Sequence, residues 1–267
     1  MKKSIILTAI MVLFAFCVNA QNDTMYIMKA GVVVGQYNVN TELDSVIFYQ
    51  PTIEEPTSGS FTDVRDGNVY QTVTIGSQEW MAENLKYLPS AVGLGTGSQT
   101  TPYYYVYGYD GTSVSAAKAT AKYGTYGVLY NWPAAMAGSA SSSANPSDVQ
   151  GVCPSGWHLP SDAEWTQLTD YLGGQVVAGG KLKEAGTTHW YSPNTGATNE
   201  TGFTALPGGY RGSNGTFDHI GIYGSWWSAT EFNTDYAWFR SMFYFTSDVY
   251  RNYNYKEMGF SVRCLRD

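Results

Sequence analysis

The chain has 267 residues, of which 15 are Lys or Arg and 22 are Asp or Glu, giving a formal net charge of −7. This acidic balance argues against nucleic acid as a partner, because binding to phosphates needs a basic surface. Aromatic residues make up 15% of the chain and charged residues only 14%. That composition favours a loop-rich, β-containing exported domain over a helical bundle.

Residues 1–20 have the features of a secretory signal peptide. Two lysines precede an apolar run over residues 5–16, and small residues lead to a cleavage site after Ala20. The alternative is a lipoprotein signal that is cut before Cys17. The apolar run is too short to span a membrane comfortably. We therefore expect a secreted, cell-surface or periplasmic protein with no membrane insertion after the signal is removed.

A short β unit is predicted over residues 21–50. Apolar alternation between turn residues indicates the strands Met25–Lys29, Val32–Tyr37 and Asp44–Tyr49. Residues 51–60 are rich in Pro, Ser, Thr, Glu and Gly, which is typical of a linker. The sequence therefore predicts a small unit that is separated from the rest of the chain.

The main domain is predicted over residues 61–267, and it opens with a hairpin. Val69–Ile75 alternates as a strand, and a Gly-Ser turn leads to Glu79–Met81. Five tyrosines lie within Tyr103–Tyr109, which is typical either of a strand packed by aromatic residues or of an exposed binding loop. Tyr126–Trp132 is expected to be a buried strand.

Two helices are predicted in the centre of the domain. Ser161 and Glu164 form an S-x-x-E capping box, which marks the start of a helix over residues 162–172. A second, short helix is expected over residues 176–183. Shorter helical segments are expected at residues 115–122 and 133–137. The predicted strands that follow are 202–207, 223–228, 236–245, 249–253 and 259–265.

Two cysteines, Cys153 and Cys264, remain after removal of the signal. An exported protein permits oxidation, so the two are predicted to form a structural disulfide. The alternative is a reactive thiol pair. It is disfavoured because no basic residue flanks Cys153 to lower the pKa of its thiol.

Six ordered blocks of the main domain resemble the Fibrobacter succinogenes major paralogous domain. Residues 24–49 are similar to a short β module that precedes such domains in secreted Bacteroidetes proteins. The blocks are Asp63–Leu85, Tyr126–Trp132, Cys153–Trp165, Gly202–Arg211, Trp226–Glu231 and Ser261–Cys264.

Two of these stretches also resemble the formylglycine-generating enzymes and other C-type-lectin-like proteins. They are Trp157–Trp165, as a helix entry, and Gly259–Arg263, as a closing strand. The resemblance implies an α+β fold of the C-type-lectin-like type, with two helices, small mixed antiparallel sheets and long loops that form the ligand face.

The chain contains no recognisable set of catalytic residues. The formylglycine-generating enzymes use a cysteine pair near the C-terminus for copper-dependent oxidation, whereas each cysteine here lies in a structural block. His158 is expected to be a partly buried structural residue. We therefore expect no enzyme activity, no metal and no cofactor, with calcium held by loop residues as the alternative. The candidate calcium ligands are Asn199, Glu200, Glu231, Asn233 and Asp235.

The function predicted from the sequence is that of a non-catalytic module that recognises a glycan or a surface protein through its loop face. Loops rich in Tyr and Trp offer contact area at a low entropy cost. The alternatives are a structural subunit of a cell-surface assembly and an oxidoreductase related to the formylglycine-generating enzymes. The candidate binding residues are Tyr103, Tyr105, Asn199, Glu200, Trp226, Trp227 and Glu231.

Overall fold

The computed structural model describes residues 24–29, 32–38 and 58–267. The chain divides into two compact units, Met1–Ile53 and Glu54–Asp267. The predicted signal peptide and most of the predicted linker lie outside the described residues.

In the first unit, β1 (Thr24–Lys29) and β2 (Val32–Asn38) pair as an antiparallel hairpin. Its register shifts between Ile27 and Met28. The two strands confirm the first two predicted for this unit, and the third, at residues 44–49, lies outside the described part of the chain.

The second unit is a mixed α+β fold with short helices and small antiparallel sheets. Its described helices are α1 (Val114–Lys118), α2 (Ala121–Tyr126), α3 (Trp132–Met136), α4 (Asp162–Tyr171) and α5 (Gln175–Leu182). Its strands are β3 (Ser58–Thr62), β4 (Val69–Ile75), β5 (Gln78–Met81), β6 (Tyr104–Tyr105), β7 (Leu129–Tyr130), β8 (Trp157–His158), β9 (Tyr210–Arg211), β10 (Phe217–Asp218), β11 (Tyr223–Glu231), β12 (Tyr236–Phe243), β13 (Val249–Tyr255) and β14 (Leu265–Arg266).

The largest sheet has the strand order β3-β4-β5-β14-β8, and all its neighbouring strands are antiparallel. The C-terminal strand β14 therefore lies inside this sheet. A disulfide joins Cys153 to Cys264, whose Cα atoms are 5.9 Å apart, and so fixes the segment that leads into β14. The predicted disulfide is confirmed. Strands β11-β12-β13 form a second, antiparallel sheet.

Two hydrophobic clusters fill the unit, and strand β11 contributes to both. Trp226 belongs to the cluster that contains Trp80 and Trp165, whereas Trp227 belongs to the cluster that contains Phe260. Successive side chains of a strand point to opposite faces, so adjacent tryptophans enter different clusters. Strand β11 is therefore covered on both faces.

Helix α4 begins as the sequence predicts. The Ser161 hydroxyl accepts a hydrogen bond from the backbone N–H of Glu164 (3.1 Å), and the Glu164 carboxylate accepts one from the backbone N–H of Ser161 (2.8 Å). This reciprocal capping box satisfies two backbone donors that a helix start leaves unpaired. Helix α4 ends at Tyr171, one residue before the predicted end.

Five predictions are corrected. The second unit has five described helices, not the two that the family resemblance implies, although α1 and α3 lie at the expected short helices 115–122 and 133–137. Residues 58–60, predicted as linker, pair with β4. The predicted strand 202–207 is reduced to a single bridge between Ala205 and Lys183, and the final strand is reduced to isolated bridges followed by β14. Within Tyr126–Trp132 only two residues are strand, because α2 ends at Tyr126 and α3 starts at Trp132.

Candidate functional site

The two tryptophans predicted as binding residues are not at the surface. Trp226 and Trp227 are both 0% exposed. The indole N–H of Trp226 donates to Asn84 Oδ1 (2.8 Å), and that of Trp227 donates to the carbonyl of Tyr130 (2.8 Å). Their polar atoms are therefore used inside the protein, which corrects their assignment to a ligand face.

The other predicted binding residues have structural partners. Tyr105 is buried, and its hydroxyl donates to the carbonyl of Thr96, whereas Tyr103 is only half-buried. Burial raises the pKa of Tyr105 to about 12. Asn199 Oδ1 accepts the backbone N–H of Thr204 (2.8 Å) in a tight turn.

The two predicted glutamates are paired with lysines. Glu200 lies 3.2 Å from Lys181, and Glu231 lies 3.2 Å from Lys256. From the sequence, the ligand face is expected to combine the loops 103–109, 199–202 and 226–235. Among the described residues, no hydrogen bond, ion pair or ring contact joins these three segments to one another.

The predicted calcium ligands are likewise engaged locally. Asn233 Oδ1 accepts the backbone N–H groups of Asp235 and Tyr236, both at 3.0 Å. Over residues 24–29, 32–38 and 58–267, no group of three or more His, Cys, Asp or Glu side chains could hold a metal ion.

A polar cleft of about 270 Å³ contains His158, the strongest candidate for acid–base chemistry. Its Nε2 lies 2.8 Å from Glu164, and its Nδ1 lies 2.8 Å from Asp267. Burial acts to lower the pKa of His158, but the hydrogen bonds and charges of the two carboxylates outweigh it and raise the pKa. Both ring nitrogens are occupied, so His158 ties β8 to α4 and to Asp267, in agreement with its predicted structural role.

A continuous group of exposed and half-buried aromatic residues lies on one face of β12 and β13. The register pairs Trp238 with Tyr253 and Tyr236 with Tyr255, which places the four rings on the same face of the sheet. Phe232, from the turn before β12, stacks on Tyr253 with ring centroids 4.0 Å apart and planes at 8°. We call Phe232, Tyr236, Trp238, Tyr253 and Tyr255 the aromatic platform.

The rings of the platform hold one another in place. Trp238 contacts both Phe232 and Tyr253 edge-on, at 5.1 and 5.5 Å. Tyr236 and Tyr255 are 4.5 Å apart, and the hydrogen bond between their hydroxyls raises the pKa of Tyr236 to about 12. Such contacts restrict the rotamers that the rings can adopt, so the surface is preorganised.

Despite these contacts, the platform is open to solvent. Phe232 and Tyr253 are each 43% exposed, and Tyr255 is 41% exposed. Further along the same face, Arg240 and Met242 are fully buried. Contiguous exposed apolar patches are typical of interaction surfaces, whereas single exposed apolar residues are common on any protein surface.

Ion pairs border the platform. The Arg251 guanidinium lies 3.5 Å from the ring centre of Trp238, and its Nε donates to both carboxylate oxygens of Asp162 at 2.9 and 3.0 Å. Arg240 binds the same carboxylate at 2.5 Å. These contacts fix one face of Trp238 and connect the platform to the start of α4.

Sequence reasoning missed the platform, although it predicted both strands. The signal is the alternation of aromatic residues, Tyr236 with Trp238 and Tyr253 with Tyr255, which places rings on one face of each strand. The alternation does not show which face is buried.

The model of a known family, described as the Fibrobacter succinogenes major domain, matches residues 73–266. No curated protein and no solved structure matches the chain. Among the residues described, no helix is both long enough and apolar enough to cross a membrane.

Proposed function

We propose that this chain, which belongs to the Fibrobacter succinogenes major domain family, is an exported, non-catalytic module that binds glycans through its aromatic platform. The observation that carries the proposal is the continuous group of packed aromatic rings on β12 and β13, of which Phe232, Tyr253 and Tyr255 are exposed. Sugar rings present flat C–H faces that pack on aromatic rings, while their hydroxyls stay hydrated or hydrogen-bonded. We extend the proposal to a C-type-lectin-like fold and to a site that needs no metal or cofactor.

A glycan fits this surface better than an added protein strand does. Strand β13 is an edge strand, and exposed edges can pair with a strand from another protein. However, the backbone N–H groups of Tyr253 and Tyr255 already donate to the side chains of Asn252 and Asn254, both at 2.9 Å. An incoming strand would have to displace these bonds.

The non-catalytic part of the proposal rests on His158. Its two carboxylate partners leave neither ring nitrogen free to exchange a proton with a substrate. Tyr236 does not act as a general base, since its hydrogen bond with Tyr255 raises its pKa to about 12 and keeps its hydroxyl protonated.

The test is binding of the purified full chain to a panel of polysaccharides, by pull-down and by affinity electrophoresis. We expect specific binding that is lost in Tyr253→Ala and kept in Tyr171→Ala. Tyr171 is a matched control because it is 65% exposed and lies nine residues after Asp162 on α4, about 14 Å along the helix. Equal binding by both variants, or no binding to any polysaccharide, would overturn the proposal.

A further inference from the structure

We infer that the platform takes a linear, uncharged glycan that lies along β13 and places successive sugar rings on two aromatic pairs. This inference rests on the proposed function and specifies its ligand. Its two parts, the number of subsites and the absence of charge, come from separate observations.

The number of subsites follows from the ring contacts. Phe232 and Tyr253 form one stacked pair at 4.0 Å, and Tyr236 and Tyr255 form a second pair at 4.5 Å. Tyr253 and Tyr255 are two residues apart on the same strand, so the two pairs are offset by about 6.8 Å along β13. This offset is comparable to the length of one sugar unit. A chain of sugars that follows the strand therefore meets both pairs.

The platform is also open to solvent along the direction of β13. In β13 Val249 is buried and the residues after it are exposed or half-buried, and within the described part of the chain the strand has a partner strand on one side only. The ring and cation–π contacts of the platform are, among the described residues, those between its own rings and that of Arg251 with Trp238. An extended ligand can therefore enter and leave along this edge without a closed pocket.

The absence of a charge preference follows from the ion pairs. Arg251 shares its charge with Asp162, and Lys256 shares its charge with Glu231 at 3.2 Å. The Lys256 amine also donates to the carbonyl of Thr234 at 2.7 Å.

Each cation beside the platform is therefore already paired. Arg240 and Arg251 both bind the carboxylate of Asp162, and Lys256 binds that of Glu231. A uronic or sialic acid carries a carboxylate, which would have to lose strongly bound water in order to contact a cation that is already paired. A neutral sugar loses far less water and gains the same contact with the rings.

The experiment compares neutral and anionic ligands of increasing length on the full chain. The neutral probes are cellulose, xylan, mannan, starch and mixed-linkage β-glucan with their oligosaccharides, and the anionic probes are polygalacturonate and alginate. We expect binding to a neutral polymer, little change between low and high salt, and affinity that rises about tenfold from one sugar unit to four. Tyr253→Ala and Tyr255→Ala should each reduce that affinity about tenfold, with unfolding midpoints close to that of the native protein.

The outcomes separate this inference from the proposed function. Preference for polygalacturonate or alginate, with binding that weakens in salt, would overturn the uncharged ligand and leave glycan binding standing. A single sugar that binds as tightly as the tetrasaccharide would overturn the two subsites. Arg251→Gln sharpens the charge test: selective loss of anionic ligands would contradict the inference, whereas unchanged preference for neutral ligands supports it. Absence of binding to every probe would remove the proposed function as well.

Discussion

Strands β11 and β13 belong to the same three-stranded sheet and are both rich in aromatic residues, yet their environments are opposite. In β11 every residue except the two at its ends is buried, and Trp226 and Trp227 lie in separate clusters. In β13 only Val249 is buried, and Tyr253 and Tyr255 are exposed. Aromatic residues therefore stabilise the interior in one strand and form a surface in the other.

The difference comes from what covers each strand. The segment after β13 pairs with β11, since the backbone N–H of Trp227 donates to the carbonyl of Ser261 and that of Ser261 donates to Ser225. Helix α4 covers one face of β11 through Trp165. Among the strands of the described residues, β13 pairs with β12 alone. Coverage, and not residue type, therefore decides which aromatic residues stay accessible.

The largest effect expected is the loss of an interior tryptophan. Trp227→Ala removes a fully buried indole and its hydrogen bond to Tyr130, so it should lower the free energy of unfolding by about 3–5 kcal/mol. Urea unfolding followed by circular dichroism measures the change. A loss no larger than that of Tyr255→Ala would contradict the contrast between the two strands.

The second effect concerns the disulfide close to Ser261, in the segment after β13 that pairs with β11. Cys264 follows Ser261 by three residues, and its bond to Cys153 closes a sequence separation of 111 residues. Replacing both cysteines by Ala should cost about 2–5 kcal/mol, because the unfolded chain gains freedom. The same unfolding experiment tests this, and the double variant avoids leaving one free thiol. An unchanged urea midpoint of unfolding would show that the packing of the segment after β13 against β11 does not depend on the disulfide.

The third effect extends the comparison to a charged interior group. His158 has a raised pKa in the folded protein, so its ion pairs contribute their full stability below its unfolded pKa of about 6.5 and lose it as the pH rises through the folded pKa. We expect His158→Gln to be less stable than the native chain by about 1.5 kcal/mol near pH 5.5.

The pH dependence is the diagnostic part of this test. The stability gap between the native chain and His158→Gln should shrink as the pH rises above the folded pKa of His158. Unfolding midpoints from pH 5.5 to 9 follow the gap, with Tyr171→Ala as a control that should show no such trend. A gap that grows with pH would mean that the imidazole is neutral in the folded protein.

The smallest effect on stability is expected at the platform. Tyr255→Phe keeps the ring and removes only the hydroxyl that bonds Tyr236, at an exposed site. Its free energy of unfolding should change by less than about 0.5 kcal/mol. Calorimetric unfolding measures this value, and a loss above 1.5 kcal/mol, the range of a buried hydrogen bond, would place Tyr255 among the interior residues.

Much of the local structure could be predicted from the sequence. The capping box of Ser161 and Glu164, the strand Val69–Ile75 and the pairing of Cys153 with Cys264 all agree with the structure. The capping box and the strand depend on short-range sequence patterns. The disulfide follows because only two cysteines remain after removal of the predicted signal peptide. The count of two helices, which the family resemblance implied, was wrong. Helices α1 and α3 lie where the sequence predicted short helices, whereas α2 has only six residues, too few to show a helical period.

The aromatic platform could not be predicted in this way. The amino-acid sequence alone shows that aromatic residues alternate in the late strands, that two cysteines can pair and that the chain is acidic. The tertiary fold encloses Trp226 and Trp227 and leaves Tyr253 and Tyr255 facing solvent. The physical reason is that burial depends on segments distant in sequence, such as α4, that pack on one strand and leave the edge strand uncovered.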